Sequence, residues 1–197
     1  DAAGRQVTLG PATVATPGGA VTLASRTGTV STATGTRIDV SAGGGRAEAG
    51  TIAVLAGGLA DLAGELSGSG STASLGGAIR VIANAIGGFA ALNGSLDGGG
   101  FSRAREFQTG SGDLVIAAGE RIQAREVTLV ANGGSLLVDG SIDARADGGG
   151  TITLGARDDL QIRSGAVLDA SNSAAGAGGE ISLTTSAGEI DLAPGSV

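Results

Sequence analysis

The 197-residue sequence predicts an all-β fold, a right-handed parallel β-helix (β-solenoid) of about seven three-stranded coils, each of roughly 26 residues. Three observations carry this reading. A strand led by Gly and alternating with period two recurs as Val21-Thr22-Leu23, Ile52-Ala53-Val54, Ile79-Arg80-Val81, Val127-Thr128-Leu129, Ile152-Thr153-Leu154 and Ile181-Ser182-Leu183. Such alternation buries one face of each strand. A unit of apolar-x-apolar, Gly corner and second apolar pair follows it, most clearly at 113–124 and 159–170, which align without a gap. Last, Val7 to Val14 is echoed by Ile190 to Val197 at an offset of 183 residues, so the chain ends in the phase in which it begins.

Taken in order, the middle strands of the coils are expected to start near Val7, Val30, Ala60, Ala90, Leu114, Leu136, Leu160 and Ile190. The corner after them is long at Gly35, Gly119 and Gly165. It is short in Leu62-Ala63-Gly64-Glu65-Leu66, Leu92-Asn93-Gly94-Ser95-Leu96 and Val138-Asp139-Gly140-Ser141-Ile142. Gly serves these corners because it reaches positive φ without a Cβ penalty. Asn93-Gly94 and Asp139-Gly140 would also make good hairpin turns, but a meander of hairpins gives no reason for strand triplets in constant order. Parallel crossovers are almost always right-handed, which sets the expected hand.

Composition agrees and also limits function. The chain holds 39 Gly, three Pro and 41% apolar residues, with only three aromatics, Phe89, Phe101 and Phe107. Its uniform texture predicts one β-helix segment over 1–197, a length cut from a longer shaft, with no leader before Asp1. The apolar stretch Gly76 to Gly94 contains Arg80 and Asn84 and reads as core strands, so no membrane insertion is expected. The sequence has no His, Cys, Lys, Tyr, Trp or Met. That removes thiolate and imidazole nucleophile systems, Schiff-base chemistry and transition-metal sets. A net charge of -7 with few stacking side chains disfavours nucleic acid. No catalytic residue, cofactor or metal ligand is assigned, and the chain is not read as an enzyme.

Places where something beyond scaffold could lie are few. Insertions gather at the corner between the third strand of one coil and the first of the next, at Ser41 to Ala49, Ser67 to Leu75 and Ser171 to Ala177. Solenoids place binding surfaces on such edges, although small Gly, Ala and Ser loops are also simply tolerated there. The segment Phe101 to Phe107 replaces a regular first strand. It offers either an aromatic and Arg patch through Phe101, Arg103 and Arg105 or, the favoured reading, infill of a wider coil. Asp139, Asp143, Asp147, Asp158 and Asp159 stand at Gly-rich corners, where Asp is common for turn reasons, rather than as paired catalytic carboxylates. Asn93-Gly94-Ser95 fits a glycosylation sequon but also the repeated corner, which is preferred. Thr27-Gly28-Thr29 and Thr34-Gly35-Thr36 do not recur as flat threonine rows in successive coils, and no calcium-binding nonapeptide array is present.

The phrases Gly-Gly-Thr-Ile-Thr-Leu (149–154), Ser-Gly-Ala-Val-Leu-Asp-Ala-Ser (164–171), Gly-Ser-Ile-Asp-Ala-Arg (140–145) and Gly-Gly-Glu-Ile-Ser-Leu (178–183) resemble the repeat region of filamentous haemagglutinin-like exoproteins of bacterial two-partner secretion. The resemblance runs along essentially the whole chain. It implies a long right-handed β-helix exported through an outer-membrane β-barrel transporter and found extracellularly or at the surface of a Gram-negative bacterium. There it would act in adhesion, aggregation or biofilm formation, against host or bacterial receptors or glycans that the sequence does not name. The family's secretion domain carries Asn-Pro motifs and this chain has none, so the resemblance implies shaft. The alternatives are a stalk of a contact-dependent toxin-delivery exoprotein and, from the matched ends, an extracellular filament subunit that self-associates end to end or laterally.

Overall fold

The computed structural model describes residues 1–9 and 12–196 and is an all-β parallel β-helix of about six turns with one short α-helix. In chain order the elements are β1 (Gln6–Leu9), β2 (Ala12–Ala15), β3 (Ala20–Ser25), β4 (Val30–Thr32), β5 (Arg37–Asp39), β6 (Thr51–Leu62), β7 (Glu65–Ser67), β8 (Ala78–Ile86), α1 (Phe89–Gly99) and β9 (Ala104–Thr109). They continue with β10 (Leu114–Ile116), β11 (Arg121–Gln123), β12 (Glu126–Ala131), β13 (Leu136–Val138), β14 (Ser141–Asp143), β15 (Thr151–Ala156), β16 (Leu160–Ile162), β17 (Val167–Asp169), β18 (Glu180–Thr185) and β19 (Ile190–Leu192). Contacts divide the chain into two units, 1–81 with 87–105, and 82–86 with 106–197.

The second unit shows the repeat most plainly. Its first strands β12, β15 and β18 pair in parallel, as do the middle strands β10, β13, β16 and β19 and the third strands β11, β14 and β17. Equal residues therefore stack on each other. Leu129, Leu154 and Leu183 form one row; Leu114, Leu136, Leu160 and Ile190 a second; Ile122, Ile142 and Leu168 a third. Ile122, Leu129, Leu136, Ile142, Leu154 and Leu160 have no accessible surface. The intervening Thr128, Thr153 and Ser182 form a parallel row on the opposite face, as strand alternation requires.

In the first unit β3 pairs in parallel with the first half of β6, β4 with its second half, and β5 with β7. The predicted strands at Ile52 and Ala60 are thus one strand, running unbroken through Gly57-Gly58. Ile52, Val54, Ala60, Leu62 and Leu66 form its core. Thr32, a polar residue paired with the apolar Leu62 in the β4–β6 register, has a use: its Oγ1 accepts the Gly64 N–H at 3.0 Å.

Corners come in two kinds. At the long ones Gly35, Gly119, Gly165 and Gly195 take φ of 87°, 80°, 85° and 82°, and the next residue donates its N–H across the turn, as Glu120 does to Ala117 O at 3.0 Å. The short corner Gly140 has a steric reason instead. A Cβ there would meet the carbonyl oxygens of Glu120 and Ala117 in the adjoining long corner.

Two expectations fail. The Val7 to Val14 segment is not a coil in phase with Ile190: β1 and β2 form an antiparallel hairpin with Val7 opposite Val14, while Gly10, Pro11 and Val197 lie outside the described residues. Both valines remain exposed, so no interior row captures them, and this accounts for about six turns rather than seven. Likewise, the strand expected at Ala90 and the corner expected at Leu92 to Leu96 are the helix α1. Phe89, Leu92, Asn93 and Leu96 recur at helical spacing, and Leu92, Asn93 and Leu96 are buried. Gly100, at φ 78°, closes the helix by donating to Leu96 O and Asp97 O.

The packing makes a direct prediction. Ile152→Ala should lower stability by about 2–5 kcal/mol, and Gly140→Ala by about 1–3 kcal/mol through overpacking. Thr153→Ala, on the opposite face from Ile152, should cost under about 0.5 kcal/mol. Urea midpoints followed by circular dichroism test the ranking, and equal losses at Ile152 and Thr153 would contradict the inward assignment.

Candidate functional site

The densest polar constellation lies at the end of the third strands in the second unit. Parallel register stacks Gln123, Asp143 and Asp169 in one row and Arg121, Ser141 and Val167 in the next. Asp143 is the centre. Its Oδ1 accepts the Arg145 backbone N–H at 3.1 Å and Arg145 Nε at 3.0 Å; its Oδ2 accepts Arg145 Nη2 at 2.7 Å and is also bound by Arg121 Nη2. Arg145 Nε lies 3.4 Å from Asp169 Oδ2 as well. The Asp143 side chain is 9% exposed, whereas those of Arg121 and Arg145 are 48% and 50% exposed.

Electrostatics follow from this geometry. The side-chain bonds from Arg145, then its backbone N–H and Arg121, hold the Asp143 carboxyl far below the usual carboxylate range against the opposing effect of burial. Asp169 is lowered by the hydroxyl and backbone N–H of Ser171, and Arg145 is raised by Asp143. Gln123, Asp143, Arg145, Ser171, Asn172 and Ser173 line an open groove of about 460 Å³. A carboxylate held this firmly ionised is a fixed acceptor; a general acid needs the opposite shift.

The same turn chemistry recurs wherever a third strand ends in Asp. Ser41 N–H donates to Asp39 Oδ1 at 2.9 Å, Arg145 N–H to Asp143, and Ser171 N–H to Asp169 Oδ1 at 2.9 Å. The turns at Asp39 and Asp169 open the loops Ser41 to Ala49 and Ser171 to Ala177, that at Asp143 opens 144–150, and the insertion Ser67 to Leu75 starts on the last residue of β7; all lead from a third strand to the next first strand. Other candidate acids are also engaged at corners. Asp139 pairs with Arg163 at 3.6 Å, Asp147 accepts Ser173 Oγ at 2.7 Å, and Asp159 accepts Glu189 N–H at 3.1 Å. Asp158 donates its backbone N–H to Gly134 O at 3.1 Å. Burial raises Glu120, whose Oε2 accepts the Ala117 N–H of its own turn at 3.0 Å.

The segment Phe101 to Phe107 is not an exposed patch. Phe101 and Phe107 have no accessible surface, Arg105 is buried, and β9 supplies a regular strand. Arg103 is part-buried, with Nε 3.3 Å from Gly76 O and Nη2 3.4 Å from Gly50 O. Asn93 is buried within α1 and accepts from Arg105 Nη1 at 2.7 Å, so it is neither a β-corner nor an exposed sequon. Thr27-Gly28-Thr29 and Thr34-Gly35-Thr36 fall at bends and turns rather than in one row. Among the described residues no group of three or more His, Cys, Asp or Glu could hold a metal ion, and no helix is long and apolar enough to cross a membrane. Sequence reasoning missed Arg121, Arg145 and Asp169. The available signal was Arg-Ile-x at 121–123 aligned with x-Ile-Asp at 141–143 and x-Leu-Asp at 167–169.

Fold and site together define a parallel β-helix with a charge-balanced polar corner. No protein-family model, curated protein or solved structure matches the chain.

Because the Asp143 pKa is lower in the folded chain, its contribution is full above the unfolded carboxylate value near ~3.9 and is lost as pH falls through the folded value. Asp143→Asn should therefore lower the urea midpoint at pH 7, with the gap to the parent chain narrowing progressively below about pH 4. A gap that stays constant from pH 7 to the acid limit would show that Asp143 acts without its charge.

Proposed function

We propose that the chain is a structural shaft segment of a secreted bacterial surface adhesin. It projects or spaces binding and effector regions and contributes through its sides to adhesion, aggregation or biofilm. The observation that carries this reading is how the residues are spent. Interior rows repeat one residue type from coil to coil, and the corner acids are used as turn acceptors and Arg partners. Side chains so committed make a rigid support and leave few groups to act on a substrate.

Passage through an outer-membrane β-barrel transporter suits such a fold. Each coil needs only its neighbour to close, so folding can advance coil by coil as the chain emerges. The lack of Cys spares the exported chain any disulfide pairing. The resemblance in the phrases at 140–145, 149–154, 164–171 and 178–183 points the same way.

Antibody raised against the 197-residue chain should label the surface of intact cells carrying the parent gene, and the label should vanish when the partner transporter gene is deleted. Label retained inside wild-type cells would overturn the reading.

A further inference from the structure

The helix α1 stands, in chain order, where the second and third strands of a coil would come, and its sequence is poorly suited to being a helix. Three of its eleven residues are Gly (94, 98 and 99), with Asn93, Ser95 and Asp97 among the rest. Each Gly costs about 1 kcal/mol relative to Ala, and an isolated helix this short is marginal in water. Gly88 at its start offers no side-chain cap, the first turn holds no acid and the last turn no base. The helix therefore persists because it is docked.

Docking rests on few groups. Leu92 and Leu96 are buried beneath it. Arg105, with 1% of its side chain exposed, ties it down: Nε donates to Phe101 O at 2.8 Å, Nη1 to Asn93 Oδ1 at 2.7 Å and Nη2 to Asp97 Oδ1 at 2.6 Å. Burial lowers the Arg105 pKa, and Asp97 opposes that shift. The end of the helix packs on β7, and Gly68, just after that strand, donates its N–H to Gly99 O at 2.7 Å. Both flanking residues are left-handed Gly, with φ of 56° at Gly88 and 78° at Gly100, and Ala90, Ala91, Gly94, Ser95 and Gly98 face solvent. A β-strand inside a ladder is held by backbone bonds along both edges, whereas the bonds given above tie α1 to its surroundings through the Arg105 guanidinium and one backbone bond, from Gly68 N–H to Gly99 O, beside the buried Leu92, Asn93 and Leu96.

We propose that α1 is a latch: it opens as a unit about Gly88 and Gly100, uncovering Arg105 and the β7 edge, while the β ladders stay closed. Arg105 sets how often it opens. Hydrogen–deuterium exchange with peptide-level mass spectrometry on the 197-residue chain tests this. Amides at 90–98 should exchange faster than those of β12 and β15. Arg105→Met keeps side-chain length and removes the charged bonds, so it should speed exchange at 90–98 by about tenfold to a hundredfold and leave β12 and β15 unchanged. Gly94→Ala places a methyl where nothing lies within 4 Å and should slow the same amides about fivefold. Exchange at 90–98 in step with β12 and β15 in the parent chain, or lost protection in all three regions together for Arg105→Met, would overturn the proposal. Should Arg105→Met unfold the chain outright, Gly94→Ala decides: slowing confined to 90–98 supports the latch, and no change or a chain-wide change refutes it.

Discussion

Parallel pairing in strict register is the constraint on which everything else depends. When Val127 must lie against Ile152 and Ile152 against Ile181, every inward position is packed by its own counterpart from the next coil. Side-chain volume at each row is then fixed by the rows above and below. This explains an interior built from Val, Ile, Leu and Ala with three Phe in the whole chain. A large aromatic fits only where the coil departs from the rule, and Phe101 and Phe107 sit on either side of the start of β9, just after α1. It explains the glycines too. Long corners need positive φ, and short ones need room under the carbonyls of a neighbouring long corner, so two different physical demands draw on one residue type.

Loops are the remaining freedom in such a stack, and they are anchored rather than loose where they leave the third strand. An Asp at the strand end accepts the N–H two residues on, which turns the chain out of the ladder without leaving that donor unsatisfied. At Asp143 the device is extended. Arg121 from the adjacent strand and Arg145 from the loop converge on one carboxylate, so the turn of one coil is tied to its neighbour's side chain. Salt and acid act on this tie more than on the apolar rows, since both arginines are half exposed.

Periodicity made most of this legible. Rows such as Leu114, Leu136 and Leu160 are visible as aligned letters because in-register stacking demands like residues, and the same alignment located three loops between third and first strands. What defeated it was similarity without context. Val7-Thr8-Leu9 and Ile190-Asp191-Leu192 share an apolar-x-apolar pattern, yet a strand pattern does not say which neighbour pairs with it, and β1 pairs with β2. Leu92-Asn93-Gly94-Ser95-Leu96 reads as a corner by analogy with Leu62 to Leu66, but its two leucines are also four apart. With Phe89 three residues earlier they fit a helical face, and Arg105, twelve residues beyond Asn93, decides between the two. The polar corner was missed for a related reason. Arg121 and Asp143 are 22 residues apart, and only the register between β11 and β14 makes them neighbours.

The buried Arg105 shows how a repeating chain accommodates a unit that does not repeat. Apolar rows cannot distinguish one coil from another, because each is packed by near-copies of itself. A guanidinium with no access to water is different: it is tolerated only where Phe101 O, Asn93 and Asp97 are all presented together, and unpaired burial would cost several kcal/mol. That requirement excludes the Arg105 side chain from any coil lacking α1. The polar cluster thus gives the stack one position that is unlike all others, which uniform ladders of Val, Ile and Leu do not supply.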